Sequence, residues 1–207
     1  VFTDGQLNGA PSNVNKIEIP HYGFPDTYHK TFEEMLKLED VVSDYDWLVT
    51  VDADLYASRA ITYKDFFDDS KKYFGVHHPC HFMQMAPHHR EPGAYDTNPL
   101  SNACIDDSIM DMNVYYQGCL WGGRIPYIFD MMKTIDEWTK EDVSKGLDAK
   151  YYEESYMNKW FLTHRDDTHT LPPTYAYPEK YQDYANFDNI MTHLSKDNAQ
   201  LENTEWN

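Results

Sequence analysis

Residues 46–54 read Asp46-Trp47-Leu48-Val49-Thr50-Val51-Asp52-Ala53-Asp54. The apolar, β-favouring run predicts a buried strand over residues 46–51, and two carboxylates follow at its end. A spacing of two along an extended backbone places Asp52 and Asp54 on the same side, and the small Ala53 between them keeps the backbone accessible. Carboxylate oxygens that converge beyond the carboxyl end of a strand suit Mg²⁺ or Mn²⁺, and such an ion suits a diphosphate.

Chance offers a second interpretation of the same residues. The chain has 35 Asp and Glu residues, so short acidic patterns arise without any function. Asp44-Tyr45-Asp46 is such a pattern, and because it precedes the strand instead of ending it, we interpret it as solvated. On these residues alone, a metal site and a solvated acidic turn at Asp52 and Asp54 are equally open.

Composition limits the class of protein. The 207 residues predict a single domain, 1–207, with a proper core. The sequence shows no signal peptide and no apolar run of about 18 residues, so no transmembrane segment is predicted. Three cysteines at irregular spacing argue for a reducing compartment. The formal charge of −18 argues against nucleic acid as a partner, since phosphate binding relies on clustered Lys and Arg.

Strands that alternate with helices predict an α/β fold with a mixed sheet. Helices are expected over residues 27–43 (with Thr27 as N-cap), 63–73, 125–140 and 152–162. Besides 46–51, strands are expected over residues 16–19, 73–76, 113–116 and 169–171. Residues 84–111 are expected to form loops, residues 117–123 a glycine-punctuated turn that lets backbone approach a ligand, and residues 196–207 a loose tail.

Two further segments carry groups that can do chemistry. Residues 74–79 place imidazoles at a strand end, and residues 151–160 open a helix with the paired carboxylates Glu153 and Glu154. Acidic residues in a first helical turn usually serve the helix dipole, so this pair alone does not indicate catalysis. The imidazoles leave open a zinc-binding module; its candidate ligands are His77, His78, His81, His88 and His89.

Taken in order, these segments resemble glycosyltransferase family 6, the family of the histo-blood group A and B transferases and the α-1,3-galactosyltransferases. The matching motifs are Val1-Phe2-Thr3-Asp4, Val51-Asp52-Ala53-Asp54, His78-Pro79, Tyr115 through Gly123, Glu153 through Lys159, and Leu171-Pro172-Pro173-Thr174-Tyr175. Each motif is short, but together they span the chain from residue 1 to residue 178 in the family's order. The resemblance therefore favours the metal-site interpretation of the two aspartates.

The resemblance implies a GT-A fold, in which helices flank a Rossmann-like mixed sheet. It also implies retaining, metal-dependent transfer of galactose or GalNAc from a UDP-sugar to the 3-hydroxyl of a galactoside or oligosaccharide acceptor, in α-1,3 linkage. Mn²⁺, or Mg²⁺ in its place, would be held by Asp52 and Asp54. Glu154 matches the family's catalytic glutamate, which is either a nucleophile or a stabiliser of an oxocarbenium-like transition state.

The remaining site residues are also assigned by position in the family motifs. The predicted donor-binding residues are Asp52, Ala53, Asp54, Glu153, Cys119, Lys30 and Lys196. The predicted acceptor-binding residues are His78, Tyr151, Gln117 and Glu154. Gln117 and Cys119 fall where the family tunes its choice of sugar.

Departures from the family pattern leave the sugar open. Glu153 replaces an aspartate and Tyr151 replaces a tryptophan, while Cys119, being larger than glycine, favours UDP-galactose. The family's uridine-contacting strand precedes Val-Phe-Thr-Asp, and we expect that first strand to be missing here. Without a visible anchor the chain is similar to the soluble bacterial or phage members, which predicts a cytoplasmic protein. A catalytically inactive relative that binds UDP-sugars or glycans is the second alternative.

Overall fold

The structure is a computed structural model that describes residues 1–3, 11–79, 94–184 and 187–195. In these residues the strands are β1 (Phe2–Thr3), β2 (Ile17–Glu18), β3 (Trp47–Val51), β4 (Leu55–Ala57), β5 (Tyr73–His77), β6 (Tyr116–Arg124), β7 (Thr168–Leu171), β8 (Tyr177–Pro178) and β9 (Met191–His193). The helices are α1 (Asp26–His29), α2 (Thr31–Leu36), α3 (Glu39–Val42), α4 (Tyr63–Phe66), α5 (Tyr127–Ser144) and α6 (Tyr152–Thr163). Short 3₁₀ turns lie at Arg165–Asp167, Pro173–Tyr175 and Glu179–Tyr184.

The main sheet is mixed and has the strand order β3-β6-β5-β7. Strand β6 is antiparallel to both of its neighbours, whereas β7 is parallel to β5. Strands β3, β5 and β7 therefore run in one direction, and their carboxyl ends meet at one edge together with the start of β6. Two smaller sheets join β1 to β2, and β4 to β9 to β8.

Apolar side chains cover both faces of the main sheet. The larger cluster, which lies between β6 and the helices α2, α5 and α6, includes Phe32, Trp121, Phe129 and Phe161. A second cluster on the other face includes Phe74, Leu120 and Leu171. Strand β5 is buried along its whole length, as expected of a central strand covered on both sides. These layers confirm the predicted mixed α/β arrangement.

The predicted turn at residues 117–123 is wrong, because these residues form the middle of β6, the longest of the described strands. Gly122 explains why glycine occurs in a central strand. A Cβ atom at this position would lie 2.3 Å from the Leu48 carbonyl oxygen and 2.5 Å from Cε1 of Phe74. The glycines therefore let neighbouring elements pack closely instead of reversing the chain.

Two predicted helices are shorter than expected. The helix over residues 27–43 is divided into α1, α2 and α3. The break between α2 and α3 arises because the N–H groups of Lys37 and Leu38 bond to carbonyls three residues back rather than four. Thr27 is not the N-cap, because it is the second residue of α1 and Pro25 occupies the N-cap position; its hydroxyl donates to the Tyr22 carbonyl. The helix over residues 63–73 ends at Phe66, where Phe67 turns to an extended conformation.

Most of the other predicted elements agree with the structure. Strands β3, β5 and β7 and helices α5 and α6 lie where the sequence predicts them, to within a few residues. Strand β3 is, however, only partly buried and not buried as predicted, because it lies at the edge of the main sheet. The strand expected at residues 113–116 instead begins at Tyr116. Phe2–Thr3 pairs in parallel with Ile17–Glu18. The predicted tail at residues 196–207 lies outside the described residues.

Candidate active site

A cavity of about 680 Å³ opens at the edge of the main sheet where β3 and β5 end and β6 begins. The start of α6 and the segment around β8 and β9 close its sides. Six sequence-predicted site residues line it: Asp52, His78, Gln117, Cys119, Glu153 and Glu154. Residues from four segments of the chain, each predicted separately, therefore meet at one place.

Glu154 is fixed by hydrogen bonds to both carboxylate oxygens. The Tyr115 hydroxyl donates to Oε1 at 2.6 Å, and the Gly118 backbone N–H donates to Oε2 at 2.7 Å. Glycine at 118 eases this approach, since a Cβ there would lie 3.2 Å from Oε2, a tight contact. The carboxylate is thus held at a defined position against the start of β6, with little freedom to rotate.

Asn158 fixes the helix that carries Glu154. It is fully buried, and its side-chain amide exchanges two hydrogen bonds with the Tyr116 backbone, accepting from the N–H at 2.8 Å and donating to the carbonyl at 2.9 Å. The same amide donates to the Glu154 carbonyl at 2.9 Å. Since Glu154 lies one turn before Asn158 in α6, this clamp ties the glutamate to β6 through rigid elements.

The first residue of α6 has an unusual backbone. Tyr152 has φ 46°, in the left-handed region that aromatic residues rarely adopt. Its ring stacks on Tyr28 at 5.1 Å between centroids and meets Phe24 edge to face. These contacts stabilise a turn that delivers Glu153 and Glu154 into the cavity directly after it.

Burial makes the two glutamates weaker acids than usual. Desolvation, together with the charges of Glu154 and Asp52, raises the pKa of Glu153 to about 8, and Oε2 of Glu153 is buried without a hydrogen-bond partner. Desolvation also raises the pKa of Glu154, while the hydrogen bonds from Tyr115 and Gly118 oppose the shift. The two neighbours therefore differ, because Tyr115 and Gly118 stabilise the charged form of Glu154, whereas the only donor that lowers the pKa of Glu153 is its own backbone N–H.

The two aspartates converge through a turn. Strand β3 ends at Val51, and the Leu55 N–H bonds back to the Asp52 carbonyl at 3.1 Å, so the expected alternation along an extended strand is not the cause. One carboxylate oxygen of each aspartate and a ring nitrogen of His193 lie within 4.8 Å of one another. Two hard oxygen donors at this spacing fit one small divalent cation. Asp44 and Asp46 are exposed, in agreement with their interpretation as solvated.

The start of β6 forms the wall of the cavity beside Asp52, whose backbone N–H donates to the Cys119 carbonyl at 2.9 Å. The Gln117 amide is buried and donates to the His77 carbonyl at 3.2 Å. The neighbouring Cys119 thiol lies 3.7 Å from the Gln117 side-chain oxygen, and burial raises the pKa of this thiol. His78 lies at the end of β5, where its ring meets Tyr115 edge to face at 5.9 Å.

Other predicted residues lie elsewhere. Lys30 is not among the residues that line the cavity, and its ammonium pairs with Glu33 at 3.2 Å. Tyr151 also lies outside the lining, with 40% of its surface exposed. Ala53 is exposed in the turn between the aspartates, and Lys196 lies outside the described residues. The roles of these four residues stay predictions.

The tertiary structure adds residues that the sequence did not indicate. His193 on β9, Lys180 in the last 3₁₀ turn and Tyr28 on α1 all line the cavity. His193 lies 139 positions from Asp54, and its Nε2 atom is 3.1 Å from Asp54 Oδ2. No local motif marks a single histidine in a short strand, so only the pairing of β4 with β9 identifies it.

The zinc-module alternative depends mostly on residues outside the described ranges, where His81, His88 and His89 lie. His77 is buried, and His78 faces the cavity. Within the described part of the chain, the group of potential metal ligands found is Asp52, Asp54 and His193, which includes neither of these histidines.

Fold and cavity together define a mixed α/β protein with a binding cleft lined by carboxylates. Comparison with known protein families gives a match over most of the chain, since the family model "Glycosyltransferase family 6" matches residues 29–203. The chain therefore belongs to glycosyltransferase family 6, as its motifs predict.

The individual relatives share about a quarter to a third of their aligned residues with this chain. The chain is 31% identical over 107 residues to histo-blood group ABO system transferase 1 of Rattus norvegicus, a match that covers 52% of this chain and 29% of that protein. It is 25% identical over 183 residues to the O-antigen biosynthesis glycosyltransferase WbnI of Escherichia coli, covering 87% of this chain and 74% of the relative. To globoside alpha-1,3-N-acetylgalactosaminyltransferase 1 of Mus musculus it is 28% identical over 103 residues, which are 50% of this chain and 28% of that protein.

The matched segment thus spans under a third of the two mammalian relatives. Across the described ranges, no helix of the chain is both long and apolar enough to cross a bilayer.

Proposed function

We propose that this chain is a retaining glycosyltransferase of GT-A fold. In this proposal it transfers galactose, or GalNAc, from a UDP-sugar to the 3-hydroxyl of a galactoside and forms an α-1,3 linkage in a metal-dependent reaction. Membership of the family and the names of the relatives support transfer of a sugar. The observation that carries the proposal is the fixed Glu154 carboxylate in a cavity that Asp52 also lines.

Glu154 is assigned to the reacting carbon. Its two donors, Tyr115 and Gly118, hold the charged carboxylate in place, so it meets developing positive charge on the sugar without reorganising. This serves equally well for nucleophilic attack and for stabilising an oxocarbenium-like transition state. Glu153 is assigned to the donor sugar hydroxyls, since its buried Oε2 has no protein partner.

Asp52 and Asp54 are assigned to the metal, Mn²⁺ or Mg²⁺. When bound, the ion would supply positive charge against the diphosphate and stabilise the departing UDP. The two aspartates would position that charge on the side of the cavity formed by the turn after β3. Cytoplasmic location remains an expectation of the sequence.

The wall formed by Gln117 and Cys119 is assigned to the choice of sugar. The side chain of Cys119 leaves less room for an N-acetyl group than a glycine at this position would. UDP-galactose is therefore the first donor to test. His78, which directly follows β5 and lines the cavity, is assigned to acceptor binding, together with the exposed ring of Tyr151.

A donor screen tests the proposal. With Mn²⁺ and UDP-galactose or UDP-GalNAc, the protein should hydrolyse the donor slowly and release UDP faster when a β-galactoside is added. Glu154→Gln should lower the rate by about 10²-fold or more, whereas Glu137→Gln, an exposed change on α5, should not. Replacing both Asp52 and Asp54 with Asn should abolish metal dependence, while the same change at the exposed Asp44 and Asp46 serves as the matched control.

The outcomes separate the alternatives. Turnover of no UDP-sugar, with or without metal, would overturn the proposed transfer. UDP binding that persists without any turnover would indicate the inactive, sugar-binding relative instead. A Glu154→Gln variant with normal turnover would remove this residue from the mechanism.

A further inference from the structure

We propose that His193 is a third protein ligand of the divalent cation, and that Asp52, Asp54 and His193 together form a site that favours Mn²⁺ over Mg²⁺. This inference rests on the proposed metal-dependent function and assigns to the site a residue from a distant part of the chain. His193 would act on the cation and not on the sugar.

The spacing of the three side chains supports a shared ion. Nε2 of His193 lies 3.1 Å from Oδ2 of Asp54. Neighbouring ligands on an octahedral ion with bonds of about 2.1 Å are about 3 Å apart, so this pair already has the separation of adjacent ligands. With Asp52, all three donor atoms lie within 4.8 Å of one another.

The backbone holds His193 at this position. In the antiparallel pairing of β4 with β9, Leu55 lies opposite His193, and the Leu194 N–H donates to the Asp54 carbonyl at 2.9 Å. The turn that carries the aspartates and the strand that carries the histidine are therefore hydrogen-bonded to each other next to the ligand atoms. Such a site is preorganised by main-chain contacts, which reduces the entropic cost of collecting three ligands.

Exposure and charge also favour a cation here. The side chains of Asp54 and His193 keep 19% and 29% of their surface exposed, so both are mostly withdrawn from water, and His193 lines the cavity together with Asp52. Asp52, Glu153 and Glu154 line the same cavity, whereas Lys180 is the one Lys or Arg in the described part of the lining. A divalent cation between the aspartates offsets this excess of negative charge.

Imidazole changes which ion the site prefers. Mg²⁺ binds oxygen ligands and rarely gives up its water for nitrogen, whereas Mn²⁺ accepts imidazole more readily. In the neutral tautomer with its proton on Nδ1, His193 presents the Nε2 lone pair towards Asp54 and the ion. Two carboxylates with one imidazole therefore select Mn²⁺ more strongly than two carboxylates alone.

The test measures metal binding to the whole chain without a sugar donor. Titration calorimetry with Mn²⁺ and with Mg²⁺ should show tighter Mn²⁺ binding to the unsubstituted protein. His193→Ala should weaken Mn²⁺ binding by about 10-fold or more and Mg²⁺ binding by less. Pulsed EPR of bound Mn²⁺ should show coupling to an imidazole nitrogen, and this coupling should disappear in His193→Ala.

His29 provides the matched control. It forms a second histidine–carboxylate pair, with Nε2 2.9 Å from Asp148 Oδ1, but it belongs to no three-ligand group among the described residues. His29→Gln should leave both Mn²⁺ affinity and the nitrogen coupling unchanged. Thermal melts of all variants check that each one folds, and His193→Gln, which keeps the size of the side chain, serves if the alanine variant does not.

Two results would overturn the inference. One is that folded His193→Ala binds Mn²⁺ with unchanged affinity. The other is that Mn²⁺ bound to the unsubstituted protein shows no nitrogen coupling. If binding then still disappears on replacement of Asp54 with Asn, the two-aspartate site and the proposed transferase both stand. Failure of the donor screen with intact nitrogen coupling would instead reject the transferase and leave the metal site.

Discussion

Replacing Tyr115 with Phe removes the hydroxyl group that donates a hydrogen bond to Glu154. The hydroxyl donates to Oε1 at 2.6 Å, while the ring keeps its contacts with His78 and Tyr95. A hydrogen bond to a charged group contributes about 1.5–3 kcal/mol, and about 1.36 kcal/mol changes a pKa by about one. Since this bond holds the pKa of Glu154 down against burial, its loss should raise that pKa.

The consequence is visible in the pH dependence of turnover. If Glu154 acts as a carboxylate, activity is lost as the pH falls through its pKa. A higher pKa therefore moves the acid limb of kcat/KM to higher pH by the same amount. On that limb the variant should be about tenfold slower for each pH unit by which the limb moves, and well above it the two rates should converge.

The assay is the rate of UDP release from the preferred donor, measured from about pH 5 to pH 9. Because the pKa of Glu153 is about 8, its ionisation falls in the same range, so Tyr115→Phe is also measured in a Glu153→Gln background. The control is Tyr156→Phe, which removes a comparable hydrogen bond, 3.0 Å from the tyrosine hydroxyl to buried Asp142, outside the cavity. An acid limb that stays in place in Tyr115→Phe would refute the reasoning, as would an equal movement of the limb in Tyr156→Phe.

Three further predictions concern stability. The pKa of Glu153 is about 8 in the folded protein, above its ordinary value of 4.5. Between these two pH values the folded protein binds more protons than the unfolded chain, so it loses stability as the pH rises through this window. Glu153→Gln should therefore raise the melting temperature more at pH 8 than at pH 5. Asp142 is fully buried and accepts hydrogen bonds from Ser101, Asn102 and Tyr156. Asp142→Ala should therefore lower the unfolding free energy measured in urea by about 3 kcal/mol or more. The control Asp130→Ala, on the exposed face of α5, should change that free energy little. Gly122→Ala should lower it by about 1–3 kcal/mol, because the added methyl meets a backbone carbonyl 2.3 Å away; a stabilised variant would contradict the packing explanation for this glycine.

Local patterns predict those elements whose burial follows a simple period. Strand β3 is a short apolar run, and helices α5 and α6 carry apolar residues at helical spacing, so each is found from its own residues. The glycine-rich segment 117–123 is mistaken for a turn because glycine signals a turn in isolation. Only the neighbouring carbonyl of Leu48 and the ring of Phe74 show that it serves close packing between strands.

The candidate site divides in the same way. Asp52, Glu153 and Glu154 are indicated by their motifs, and the cavity brings them together. The sequence predicts an extended backbone at Asp52 and Asp54, whereas the structure has a turn there, closed by a hydrogen bond from the Leu55 N–H to the Asp52 carbonyl. This bond is not encoded in any single residue type, so the sequence does not predict the turn. Lys30 is predicted to contact the donor; in the structure it lies between α1 and α2, pairs with Glu33 in α2 and does not line the cavity, so its role stays a prediction.

By itself the sequence determined the family and the α/β fold class and indicated the carboxylates of the candidate site, because these depend on residue types at short spacings. The tertiary structure alone decided that Tyr115 and Gly118 hold Glu154, and that His193 lies beside Asp54. Those contacts join residues 36 to 139 positions apart in the chain. Their partners are chosen by strand pairing and core packing, which act on the whole fold at once and leave no mark at any one position.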